Sequence, residues 1–177
     1  MTIEARPPSY AAAATSFDDF YRTEYGAMVR LVWSLTGRRD IAEELVQDAF
    51  ITLHRKWPQV SGYDKPGAWM RRIVVHRCYS QSRRVSIELR GLTRIGSRRT
   101  VSDEPTDDAT EIWAALRKLP RRQQEVMGLV VADDRSVAEV AQILQCDENP
   151  VRTHLRRGRQ RLAELLGEAH DDGGAER

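Results

Sequence analysis

A chain of 177 residues that is 41% hydrophobic has room for one ordinary domain or two small ones, each of the latter only marginally stable alone. Its net charge of +2 conceals segregation, with bases gathered at 71–99 and 152–161 and acids at 103–111 and from Glu164 to Glu176. With no apolar run of membrane-spanning length, no signal-peptide pattern in residues 1–15 and no ligand cluster beside Cys78 or Cys146, membrane insertion, export and a metal centre are set aside; a cytoplasmic chain with reduced, core-packed cysteines is expected.

In chain order, residues 1–15, with Pro7-Pro8 and the run Ala11 to Ala14, read as a loose tail. Ser16 caps a first helix whose Phe17, Phe20, Tyr21, Met28, Leu31, Val32 and Leu35 form one apolar stripe, and Gly37 ends it. Asp40, with Glu43 three residues on, is expected to start a second helix. Ala42, Val46, Ala49, Phe50, Leu53 and Trp57 line its inner face, and Pro58 is expected to stop it. After a polar loop from Gln59 to Lys65, Pro66 opens a third helix reaching about Arg84. No period-two strand pattern occurs in this half.

Residues 85–108 lack a sustained helical stripe and read as a flexible, acidic linker. A second helical set follows from Ala109 to Leu119 and from Pro120 to Val131, with Leu119-Pro120 as the break. Then comes SVAEVAQILQCDENPVRTHLRRGRQRL, from Ser136 to Leu162. Ser136 and Glu139 can form a capping box, and Val137, Val140, Ala141 and Leu144 give one inward stripe. After a break at Gln145-Cys146-Asp147, Pro150 fits a helix's first turn, and Val151, Leu155 and Leu162 face inward while Arg152, Arg156, Arg157, Arg159 and Arg161 face out. That is the layout of a helix-turn-helix, whose second helix enters the major groove of duplex DNA. The fold class is therefore all-α, two small helical domains joined by a flexible linker, with the C-terminal one a helix-turn-helix. The expected division is tail 1–15, first domain 16–84, linker 85–108, second domain 109–168 and tail 169–177.

Three strings carry a family resemblance. DIAEELVQDAF in the second helix, PGAWMRRIVVHRCYSQSRR in the third, and ALRKLPRRQQEVMGLVV followed by the helix-turn-helix together resemble the group IV, or extracytoplasmic-function, sigma factors of bacterial RNA polymerase. The resemblance covers roughly residues 16–84 and 109–166. It implies that the second helix docks on the coiled coil of the polymerase clamp, with Glu44, Gln47 and Asp48 as contacts. It further implies that the third helix melts and holds the −10 element. Arg71, Arg72, Arg77, Arg83 and Arg84 suit a strand backbone, and Tyr63 is a candidate for stacking on an unpaired base, whereas Trp69 is expected in the core. His76 stands where the family commonly has asparagine, so the base it meets is open.

The second domain is similar to the family's −35-binding domain. Asn149, Arg152, Thr153, Arg156 and Arg157 lie near the start of the recognition helix, where side chains reach base edges. Three residues depart from the pattern: Gln145 replaces the usual glycine of the turn, Arg135 an apolar residue, and Pro150 a small polar one. The implied partners are core RNA polymerase and promoter DNA, duplex at −35 and melted at −10. The family often has an anti-sigma factor, which nothing in this chain identifies. No cofactor is called for, and His54, His76, His154 and His170 are too scattered for an enzyme's site. The alternative, a helix-turn-helix regulator acting without polymerase, leaves DIAEELVQDAF unexplained.

Overall fold

The computed structural model describes residues 16–92 and 109–172, with side chains excepted at 81–92, 109–110 and 168–172. The expected N-terminal tail, residues 173–177 and the greater part of the expected linker lie outside the described residues, whereas 169–172, expected in the C-terminal tail, are helical. Every regular element among those described is helical, and no helix there is long and apolar enough to cross a membrane.

The first helix, α1, spans Phe17–Thr36 and starts as its sequence requires, the Ser16 hydroxyl accepting from the Asp19 N–H at 3.1 Å. It ends at Gly37, whose φ of +74° turns the chain while its N–H donates to the Trp33 carbonyl at 2.7 Å. Helix α2, Arg39–Val60, departs from expectation at both ends. Asp40 does not cap it; its carboxylate pairs with Arg38, whose hydrogen bond holds the Asp40 carboxyl below the ordinary range. Pro58 does not stop it: although proline supplies no N–H to the carbonyl four residues back, the helix runs on two residues further to Val60. Helix α3 spans Pro66–Leu92, so residues 85–92, expected in the linker, are helical. These three helices pack on one another around Met28, Leu31, Val32, Ala42, Val46, Leu53, Met70 and Val74, all fully buried.

The second set comprises α4, Ala109–Arg117, and α5, Arg121–Met127, separated at Leu119-Pro120 as read from the sequence. A π-helical segment, Gly128–Ala132, follows α5 where continuous α-helix was expected, closed by the Asp133 N–H donating to the Gly128 carbonyl at 3.2 Å. Helices α6, Val137–Leu144, and α7, Glu148–Asp172, complete the helix-turn-helix. Helix α7 therefore begins before the Asn149-Pro150 pair, with the proline inside its first turn, where its missing donor has no intrahelical acceptor to lose.

The cysteine expectation holds for one residue only. Cys78 is buried, and burial pushes its thiol up to about 12, whereas Cys146 is exposed in the turn between α6 and α7.

The two helical sets, the two expected domains, pack against each other. The π segment and α4 pack on α1, and α6 packs on α3, so buried apolar side chains form one continuous cluster. Gly128 allows a close approach: a Cβ there would lie 3.0 Å from Leu35 Cδ2 and 3.4 Å from the buried Ser34 hydroxyl. Composition and hydropathy gave two amphipathic sets; nothing local to either announced the apolar area that each presents to the other.

Candidate nucleic-acid interface

The recognition helix is held by the turn before it. Ser136 and Glu139 form the expected capping box, the Ser136 N–H donating to the Glu139 carboxylate at 2.9 Å. Those bonds from Ser136, backbone first, hold the Glu139 carboxyl below its ordinary range. Gln145 closes α6 with φ of +54°, the left-handed conformation that the usual glycine adopts without penalty. Gln145→Gly is thus expected to stabilise the protein by about 0.5–1 kcal/mol, measured by urea denaturation. A loss of stability would show that the exposed glutamine has a favourable role at this turn.

Val151 and Leu155 anchor α7 in the core, and Gly158 lies close under Met127, where a Cβ would be only 2.8 Å from Met127 Cγ. The rotation this sets leaves Arg152, Arg156 and Arg157 exposed, with Asn149 exposed beside them and Thr153 half-buried. Arg152 is not bare: its Nη2 donates to Glu148 Oε2 at 2.7 Å, one turn earlier. Sequence reading passed over Glu148, although its spacing of four from Arg152 is the ordinary signal for such a pair. Arg135, one of the three departures, is also used structurally, reaching Asp133 Oδ2 at 3.2 Å and Glu139 Oε1 at 3.2 Å.

On the first set, Glu44, Gln47 and Asp48 are all exposed along α2, between the buried Leu45, Val46, Ala49 and Phe50. Neither Glu44 nor Asp48 has an ion-pair partner among the described residues. Beside Gln47 lies an open, largely apolar hollow lined by Phe17, Tyr21, Phe50, Ile51 and His54.

The residues expected along the −10 track divide into three kinds. Arg72 and His76 are exposed, and Tyr63 is 39% exposed, edge-on to the half-buried Trp69 with ring centroids 6.4 Å apart. Arg77 is half-buried and donates to Thr52 Oγ1 at 2.8 Å, tying α3 to α2. Arg83 and Arg84 lie on α3, but their side chains are outside those described. Arg71 departs from the expectation outright. Its side chain is only 2% exposed, bound to Glu24 at 2.8 Å and to the fully buried Asp133, so in this conformation it offers nothing to a strand. Burial alone would lower its guanidinium, but the bonds to Asp133, reinforced by Glu24, outweigh that and raise it. Spacing on one helix cannot reveal such a fate, because the partner lies 62 positions away.

Two surfaces of opposite character thus emerge: an acidic row on α2, and arginine-bearing faces on α3 and α7. Among the described residues no group of side chains is placed to hold a metal ion. Comparison with known proteins agrees with this pattern. Residues 20–87 match the family model described as Sigma-70 region 2, and residues 109–162 match that described as Sigma-70, region 4. The chain is 32% identical to the ECF RNA polymerase sigma factor EcfG of Rhodopseudomonas palustris, over 75% of this chain and 75% of that one. It is 27% identical to the ECF RNA polymerase sigma factor SigM of Mycobacterium tuberculosis, over 86% of this chain and 78% of that one. Its fold resembles that of the sigma factor RpoE of Bartonella quintana, solved in complex with the anti-sigma factor NepR. The TM-score is 0.72 and the identity 26%, over 85% of this chain and 96% of that one.

Proposed function

Because this chain belongs to the extracytoplasmic-function sigma factors, which bind core RNA polymerase and direct it to promoters, we propose that its three exposed polar faces divide that work. Glu44, Gln47 and Asp48 contact the polymerase clamp. Tyr63, Arg72, His76 and Arg77, with Arg83 and Arg84, track the melted −10 strand. Asn149, Arg152, Thr153, Arg156 and Arg157 read the −35 duplex. The observation that carries this division is the sorting of charge among the helices: Glu44 and Asp48 on α2, exposed and without an ion-pair partner among the described residues, against the exposed arginines of α7. An acidic row would be repelled by nucleic acid and suits a basic protein surface, whereas the arginine face of α7 suits phosphate and guanine.

The corresponding units are a first domain at 16–84 and a second at 109–168, the two joined by 85–108, of which 85–92 continue α3. The place of work is the cytoplasm, where polymerase and chromosome meet. An anti-sigma factor is a further proposed partner, supported by the complex in which the Bartonella relative was solved. The chain performs no reaction of its own; polymerase supplies the chemistry.

Transcription in vitro with core enzyme, followed by start-site mapping, tests the reading. Start sites are expected downstream of one recurring pair of sequence elements. Duplex binding without any transcript would return the protein to the helix-turn-helix regulators.

A further inference from the structure

Arg152 differs from the arginines that follow it on the recognition helix. Arg156, Arg157 and Arg159 are exposed and have no ion-pair partner among the described residues, and Arg161 pairs with Glu164 well down the helix. Arg152 is paired at the helix's start, its Nη2 donating to Glu148 Oε2 at 2.7 Å while both side chains stay exposed. Glu148 is the first residue of α7, and the buried Val151 and Leu155 fix which way this turn faces.

A carboxylate in that place is a poor partner for a phosphate backbone. It is repelled by the strand and cancels the charge with which Arg152 would attract it. What the couple keeps is a pattern, with guanidinium donors beside carboxylate acceptors. The first residues of a recognition helix are the ones that reach base edges. In the major groove a G·C pair presents guanine N7 and O6 as acceptors and then cytosine N4 as a donor. O6 and N4 are hydrogen-bonded to each other and so lie about 2.9 Å apart. The spacing of Nη2 and Oε2 in this chain, 2.7 Å, matches it.

We propose that Glu148 and Arg152 together read one G·C pair, Arg152 donating to guanine N7 and O6 while Glu148 accepts from cytosine N4. The proposal rests on the reading of α7 as the −35 helix and adds Glu148 to its contact set. The couple also rejects: on an A·T pair it would set an arginine donor against adenine N6 and a carboxylate against thymine O4. Glu148 thus determines specificity in its own right, beyond directing its neighbour.

The full chain, assembled with core RNA polymerase, supplies the test. A promoter found by start-site mapping has its upstream element randomised, and transcript yield is counted for each sequence. The wild type is expected to favour G·C at one upstream position, a preference that Arg152→Ala abolishes. Glu148→Ala is expected to cut the preference for G·C over A·T at that position about tenfold and to leave the others as they were. Glu148→Gln is expected to admit A·T there, since an amide pairs with adenine N6 and N7. An unchanged preference in Glu148→Ala, or a loss of yield equal for all sequences, overturns the shared reading and reduces Glu148 to a support for its helix. A preference at Arg152's position for any pair other than G·C overturns it as well. If Arg152→Ala alters the preference at no position, the failure lies in the −35 assignment of Arg152 itself, and the couple falls with it.

Discussion

Replacing Glu44 and Asp48 together by lysine is expected to abolish co-purification with core RNA polymerase while leaving the helical content unchanged. Both carboxylates are exposed and one turn apart on α2, so each addresses the same partner surface. Neither has an ion-pair partner among the described residues, hence reversing them breaks nothing inside the chain. The inward stripe of Leu45, Val46, Ala49 and Phe50 is untouched, and lysine forms helix about as well as glutamate. Across a protein interface, losing one partner of a close charge pair costs about 2–5 kcal/mol, so two reversals are expected to weaken binding at least roughly a thousandfold. Normal recovery of the double variant with core enzyme, at unchanged circular dichroism, would sink the clamp assignment.

Arg152→Ala carries the next largest expected effect. If Arg152 reads a base, −35 duplex binding falls by about 1–3 kcal/mol and preference is lost at one position. If it touches phosphate alone, affinity falls for every sequence and the salt slope flattens by about one unit. The Glu148 contact adds a third possibility that the structure makes separable, since the carboxylate sets the arginine's direction from one turn away. Glu148→Ala alone measures that positioning, and Arg152→Ala without effect on specific or random duplexes would remove this arginine from the contact set. A titration across several salt concentrations distinguishes these outcomes.

Much of the molecule was legible in its residues because the relevant physics is local. Ser16 with Gly37, and Ser136 with Glu139, mark helix ends through hydrogen bonds made within one turn. The exposure of Glu44, Gln47 and Asp48 follows from the apolar stripe on the opposite side of α2. The failures have equally local causes. Asp40 resembles a cap but has an arginine two residues away to satisfy it. Pro58 resembles a stop but falls in a turn already ending. The π segment has no cue in hydropathy, since Gly128–Ala132 is apolar in either winding.

What the sequence by itself determined was the set of helices, the helix-turn-helix, and which charges face outward, because periodicity and capping act over three or four residues. What only the tertiary structure decided was the fate of Arg71. As a residue of a basic helix it belongs with Arg72 and His76, yet a carboxylate 62 positions away takes it out of solvent. That choice depends on Gly128 letting one helical set approach the other, and on a desolvation balance set by everything around the pair. Neither is a property of any window of sequence; both arise only when distant segments share one low-dielectric space.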